Sequence, residues 1–184
     1  MIRVQPSAFF LLAALILLLP LDWLTAAVLA ASVHELGHLA ALFALGEHPA
    51  FISIGGLGAR IHTGPLDGKG EFFCAAAGPA ASLLLLSLCS LFPKLALCGL
   101  VQGMFNLIPV HPMDGGRMLW CVLRRFCPRR GERILRGVQY LILCALLILS
   151  MIAAIGAKGG FLPVLAGILV CSRLMLAKIP CKSA

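Results

Sequence analysis

Charge is scarce in this sequence. Only 12% of its 184 residues are charged and only seven are acidic, whereas 61% are hydrophobic. Globular domains are usually about a quarter charged and about half apolar. The mean hydropathy is +1.03, and a chain of this length cannot bury so much apolar surface inside itself. The composition therefore excludes an ordinary soluble domain and indicates a protein that lies in a lipid bilayer.

A paired cysteine motif is also missing. The chain has eight cysteines, but none stands in a CxxC pair, and their spacing suggests no disulfide framework. Most of them fall in apolar runs, where a free cysteine packs like a small hydrophobic residue. We therefore interpret the cysteines as packing residues.

Positive charge is concentrated rather than spread. The net charge is +8, and six arginines stand together between two apolar runs: Arg124, Arg125, Arg129, Arg130, Arg133 and Arg136. Such a cluster is typical of a cytoplasmic loop in a membrane protein. No groove-reading element accompanies it, so the sequence argues against nucleic acid as a partner.

Six apolar segments are about as long as a membrane-spanning helix requires. They cover residues 2–21, 24–45, 71–92, 95–125, 138–157 and 161–177. The first segment also resembles a signal peptide, and we interpret it as an uncleaved span because cleavage would remove the partner of the second. With six spans most basic residues lie on the side of the termini, which predicts a multi-pass protein of the cell membrane with both termini cytoplasmic.

Residues 51–62 differ from the apolar segments. They read FISIGGLGARIH, with β-branched and aromatic residues around glycines, which predicts two short strands with a turn at Gly55 and Gly56. We find no repeat and no second domain. The predicted fold is an all-α polytopic membrane protein, a single domain over residues 1–184, with about six transmembrane helices and a small membrane-associated β-hairpin.

The second span contains the sequence HELGH, which places His34, Glu35 and His38 in an apolar segment. Histidines four residues apart share one face of a helix and can bind one metal ion, while the glutamate serves as general base. Ionisable groups at membrane depth are costly and usually functional. A purely structural polar cluster is the alternative.

A third ligand must come from elsewhere, because catalytic zinc usually has three protein ligands and one open position. Asp114 is the other acidic residue in an apolar setting, within a polar insert whose prolines and glycines prevent a continuous helix. Broken helices are tolerated at membrane depth where they line a watery cavity. His111 is an alternative ligand, and an ion pair between Asp114 and Arg117 is an alternative role.

These motifs together resemble the site-2 protease family of intramembrane zinc metalloproteases. HELGH is followed by FNLIPVHPMDGGR at residues 105–117, which resembles the family's NPDG-type motif on Asn106, Pro109, Asp114 and Gly115. AGPAAS at residues 77–82 resembles the family's Gly-Pro segment. An asparagine often follows in that segment, whereas this chain has a serine, and we assign no site role to that position.

The resemblance implies one zinc ion per chain, held by two histidines and the aspartate of the motif, and a substrate that is itself a membrane protein. Family members often cut membrane-held regulators of transcription, and many carry a PDZ or CBS domain for which this chain has no room. The compact plan resembles the stage IV FB-type sporulation branch, whose members release a sigma factor from its precursor. A regulatory membrane partner or a homo-oligomer is compatible with this resemblance.

A metal-binding membrane transporter or sensor without hydrolytic activity is the competing hypothesis. It accounts for His34, His38 and Asp114, but it does not require a glutamate directly after the first ligand. A different HExxH fold would take its third ligand from a later glutamate, and none of the later glutamates lies deep in a span.

Overall fold

The computed structural model describes residues 2–6, 9, 13, 16–17, 19–55 and 58–156, and every structural statement here refers to these residues. The elements are β1 (Ile2–Val4), α1 (Leu21–Ala44), β2 (Phe51–Gly55), β3 (Gly58–His62), α2 (Gly68–Leu84), a 3-10 helix (Leu85–Leu88), α3 (Pro93–Asn106), α4 (Asp114–Phe126) and α5 (Gly131–Gly156). The chain divides into two compact units, Met1–Leu107 and Ile108–Ala184.

Helix α1 coincides with the second predicted apolar segment, residues 24–45. Its sequence is rich in alanine and leucine, which favour helices, and its last turn leads to Gly46. That glycine has a φ of 76°, a left-handed conformation that side chains other than glycine rarely adopt. Its backbone N–H donates to the carbonyl of Phe43 at 2.9 Å, so the predicted helix stop is confirmed.

The predicted hairpin is also confirmed, and a third strand accompanies it. Strands β2 and β3 pair antiparallel, with Ile52 opposite Ile61, and the connecting residues 56–57 lie outside the described part. Strand β1 pairs parallel with β2 on its other side, with Ile2 opposite Ile52. The predicted first span, residues 2–21, was therefore wrong at its beginning, and 8 of its remaining 17 residues lie outside the described part.

Helix α2 begins at a cap and ends in a tighter helix. The carboxylate of Asp67 accepts a hydrogen bond from the backbone N–H of Gly70 at 2.7 Å, which satisfies one of the first free donors of the helix. Pro79 stands inside the helix. The 3-10 helix Leu85–Leu88 then completes an apolar stretch from residue 68 to residue 88.

Small residues let α1, α2 and α3 approach closely. A Cβ atom added to Gly37 of α1 would lie 2.6 Å from the carbonyl oxygen of Ala77 on α2. A Cβ atom added to Gly99 of α3 would lie 2.7 Å from the carbonyl oxygen of Ser82 on α2. An ion pair between Asp22 and Lys94 joins the beginning of α1 to the beginning of α3. The three helices thus form the frame of the first unit.

In the second unit, an irregular segment precedes α4, as the prolines and glycines of the polar insert predict. Val110 and Leu143 form a buried cluster with partly buried apolar neighbours, and a Cβ atom on Gly116 would lie 2.5 Å from the carbonyl carbon of Val110. The predicted arginine loop was too long. Arg124 and Arg125 belong to the last turn of α4, and α5 begins at Gly131.

Two helical stretches of the described part are long and apolar enough to cross a membrane. They are Leu21–Ala44, with a mean hydropathy of 1.4, and Gly68–Leu88, with a mean hydropathy of 1.6. The predicted sixth span, residues 161–177, lies outside the described residues. The mostly helical architecture with a small sheet agrees with the predicted fold class, and six spans remain a prediction.

Candidate metal centre

Two histidines of α1 meet inside the first unit. His34 and His38 are separated by one helical turn, and only 3% and 7% of their surfaces are exposed. Their rings are arranged edge to face, with centroids 4.8 Å apart. The two Nε2 atoms are 3.2 Å apart. The spacing of four residues thus places both imidazoles on one face, as the sequence predicts.

Helix α2 holds both rings from the opposite side. The hydroxyl of Ser82 lies 2.8 Å from Nδ1 of His34, and the backbone carbonyl of Cys74 lies 2.7 Å from Nδ1 of His38. Because a carbonyl only accepts hydrogen bonds, Nδ1 of His38 is the donor in the second contact. A partner at Nδ1 fixes the ring orientation of a metal-binding histidine that ligates through Nε2.

Gly78 of α2 provides the space in front of the two rings. A Cβ atom at this position would lie 2.2 Å from Nε2 of His38 and 2.9 Å from Nε2 of His34. Any larger side chain would therefore enter the space that the two ring nitrogens face. The missing side chain leaves a small cradle beside both Nε2 atoms.

The measured separation of the two nitrogens suits a single zinc ion. Two imidazole nitrogens that bind tetrahedral zinc at its usual distance are about 3.3 Å apart, and the Nε2 atoms here are 3.2 Å apart. The donor type fits as well, because neutral imidazole is a preferred zinc ligand. The residues of the first unit therefore fit a zinc ion.

Glu35 directly follows the first histidine on α1 and is half-buried. Successive residues of a helix lie about 100° apart around its axis, so Glu35 lies beside the face that carries the two imidazoles. A general base needs such a position beside the metal ligands, within reach of a water molecule.

Asp114 is the first residue of α4 in the second unit and is buried, with 7% of its surface exposed. Its Oδ1 atom lies 3.7 Å from Nη1 of Arg117, one turn along the helix. A carboxylate is favoured at a helix N-terminus because it faces the positive end of the helix dipole. His34 and His38 in the first unit and Asp114 in the second are all buried, and each carries an atom of the kind that ligates metal ions.

The remaining residues of the motif have different surroundings. The side-chain amide of Asn106 donates to the carbonyl of Gln102 in its own helix at 3.1 Å. Pro109 and His111 are half-buried in the segment before α4, and Gly115 is buried in the first turn of α4.

Ser82 and Gly78 are the residues that the sequence analysis did not assign to the site. Both residues lie on α2, whereas the histidines lie on α1. Their role therefore depends on contacts between residues far apart in the chain. The small-residue segment at 77–82 was the available signal, since it predicts close helix packing but does not identify what it packs against.

The chain resembles known proteins in sequence pattern and in fold. The sequence pattern of peptidase family M50 matches residues 75–147, a range that includes Asp114 and Ser82 but not HELGH. The structure is similar to the site-2 protease from Methanocaldococcus jannaschii, with a TM-score of 0.70 and 20% sequence identity, over 100% of this chain and 93% of that chain. The chain has the site-2 protease fold. No curated protein sequence matches it significantly.

The M50 match covers residues 75–147 and the fold similarity covers the whole chain, so both comparisons relate this chain to the site-2 proteases. Among the described residues, His34 and His38 in the first unit and Asp114 in the second are possible metal ligands.

Proposed function

We propose that this chain is an intramembrane zinc endopeptidase that hydrolyses peptide bonds in or near the transmembrane segments of membrane proteins. His34, His38 and Asp114 hold one zinc ion, and Glu35 is the general base. The observation that carries the proposal is the buried histidine pair, whose Nε2 atoms are 3.2 Å apart and whose Nδ1 atoms both have partners on α2. This is the arrangement expected of two histidines that bind one metal ion.

Zinc, when bound, acidifies a water molecule and polarises the carbonyl group of the scissile peptide. Proton transfer is carried out by a residue of the chain. Glu35 accepts the proton of the attacking water and passes it to the amine that leaves. The buried position of the histidines keeps bulk water away, which strengthens electrostatic interactions with the developing negative charge.

The substrate must unwind locally, because a helix hides its peptide bonds in its own hydrogen bonds. We propose that the sheet receives the unwound segment by strand addition. Strand β3 is an outer strand of the described sheet, whose order is β1-β2-β3. A cysteine at Ile61 on β3 should crosslink to substrate more strongly than one at Ile54 on the central strand β2, and the absence of crosslinks along the whole hairpin would leave it a packing element only.

We propose a supporting role for Asn106, Pro109 and Gly115, which shape the chain around the proposed ligand Asp114. We also propose that the substrate is a membrane-held regulator such as a sigma-factor precursor, in keeping with the sporulation branch that the sequence resembles. The protein is proposed to be a single domain with six spans in the cell membrane, both termini cytoplasmic, and a regulatory membrane partner or a second copy is compatible with this plan.

Peptide hydrolysis in proteoliposomes tests the proposal. We expect zinc-loaded wild type to cleave members of a panel of transmembrane peptides, and Glu35→Gln to lose at least about a hundredfold in rate while its zinc content stays unchanged. Glu47→Gln is the matched control, since Glu47 follows α1 and is exposed. Full cleavage by Glu35→Gln would show that Glu35 is not the general base, and zinc transport by both proteins without cleavage would favour the transporter hypothesis.

A further inference from the structure

We infer that Ser82 is a positioning residue that sets the tautomer of His34, donating a hydrogen bond to its Nδ1 atom before zinc binds and accepting one from it afterwards. This inference rests on the proposed zinc site at His34 and His38. It starts from two contacts of His34, namely Nδ1 with the Ser82 hydroxyl at 2.8 Å and Nε2 with Nε2 of His38 at 3.2 Å.

The tautomer of His38 is determined by its backbone partner. Nδ1 of His38 lies 2.7 Å from the carbonyl oxygen of Cys74, which only accepts hydrogen bonds, so this nitrogen carries the proton. In a neutral imidazole the other nitrogen is then an acceptor. In the zinc-free protein, Nε2 of His38 therefore offers a lone pair toward His34.

The contact between the two rings then determines the tautomer of His34 in the zinc-free protein. Two ring nitrogens 3.2 Å apart form a hydrogen bond only if one of them carries a proton. Because Nε2 of His38 is the acceptor, Nε2 of His34 is the donor, and Nδ1 of His34 has a lone pair. The Ser82 hydroxyl donates to that lone pair and completes a chain of hydrogen bonds from Ser82 to Cys74.

Zinc requires the opposite tautomer of His34. A histidine that ligates through Nε2 carries its proton on Nδ1, so the proton of His34 moves from Nε2 to Nδ1, and no net charge changes within the ring. Nδ1 then donates to Ser82. A hydroxyl both donates and accepts and rotates to suit its partner, whereas a carboxylate at this position would serve only the zinc-bound form.

The surroundings of Ser82 make it hard to replace. Ser82 is fully buried on α2, and a Cβ atom on Gly103 of α3 would lie 3.2 Å from the Ser82 Cβ atom. An alanine at position 82 would remove the hydroxyl that lies 2.8 Å from Nδ1 of His34, and the loss of a hydrogen-bond partner is costly for a buried polar group. The hydroxyl is thus the group whose loss should weaken metal binding.

Two measurements on detergent-solubilised full-length protein test this inference. The zinc affinity is measured by competition with a chromophoric chelator for wild type, Ser82→Ala, Ser82→Thr and the control Ser87→Ala, whose hydroxyl bonds only within its own helical segment, to Leu84. We expect Ser82→Ala to weaken zinc binding about 10- to 100-fold. Ser82→Thr keeps the hydroxyl and should restore most of the affinity, and Ser87→Ala should bind like wild type.

The second measurement is nitrogen NMR of histidine labelled with ¹⁵N, with His34→Ala used to assign the signals. We expect the proton of His34 on Nε2 in zinc-free wild type and on Nδ1 in zinc-loaded wild type. The same tautomer in both forms would overturn the inference even if Ser82→Ala failed to fold, and so would an unchanged zinc affinity of a folded Ser82→Ala. Failure of wild type to bind zinc at all would instead overturn the proposed function.

Discussion

At the scale of single residues, the site depends as much on α2 as on the helix that carries the histidines. HELGH predicts two histidines on one face of a helix, and this placement is confirmed by the 3.2 Å separation of the Nε2 atoms. Ser82 and Gly78 were not predicted, because their contacts with the histidines join residues far apart in the chain, 48 positions in the case of His34 and Ser82. Local periodicity determines which residues share a helix face, but it does not determine which neighbour that face meets.

Gly78 gives the sharpest prediction at this scale. We expect Gly78→Ala to lose zinc binding, because its Cβ atom would lie 2.2 Å from Nε2 of His38, inside the proposed metal site. Gly68→Ala is the matched control on the same helix, since a Cβ atom there meets nothing within 4 Å. Zinc content is measured by atomic absorption and helix content by circular dichroism. Retention of zinc by Gly78→Ala would show that the ion does not lie between these nitrogens.

At the scale of elements, the sequence predicts what is local and misses what is paired at a distance. The end of α1 at Gly46 follows from one glycine, and the hairpin follows from the alternation around Gly55. Strand β1 was not predicted, because its pairing with β2 joins Ile2 to Ile52 and its own residues read as part of an apolar run. The arginine loop was predicted too long, because arginine is a good helix former and extends α4 and α5 into it.

Close packing of α1 on α2 gives a prediction about stability. We expect Gly37→Ala to destabilise the fold by about 1–3 kcal/mol, because its Cβ atom would lie 2.6 Å from the carbonyl oxygen of Ala77. Gly137→Ala on α5 has nothing within 4 Å of its Cβ atom and should be neutral or slightly stabilising. Thermal unfolding in detergent compares the two variants. Equal melting temperatures would mean that α1 and α2 have room to separate.

At the scale of the whole molecule, composition alone predicts a membrane protein, and the apolar exposed faces of α1 agree with this, since Val28, Leu29 and Leu36 are all about half exposed. The number of spans and the side of the membrane on which each loop lies are harder to predict from the sequence. They depend on the distribution of positive charge, which acts during insertion rather than through contacts within the folded chain.

The predicted topology can be tested with a cysteine of the chain itself. Cys127 is a free and exposed cysteine between the arginines, and we expect a membrane-impermeant maleimide to label it in inside-out vesicles but not in right-side-out vesicles. Cys89, also free and exposed, lies before Lys94 and should show the reverse pattern. Cys127→Ser and Cys89→Ser identify the two signals. Labelling of both cysteines from one side would contradict the six-span topology.

The most direct test of the central claim is the zinc content per purified chain for wild type, His34→Ala, Asp114→Ala and Glu35→Gln. If His34, His38 and Asp114 hold the metal and Glu35 is the base, wild type and Glu35→Gln should each hold about one zinc ion, and both alanine variants should lose most of it. Absence of zinc from wild type prepared without chelators would contradict the account. Full retention by Asp114→Ala would move the third ligand elsewhere, with His111 the next residue to test.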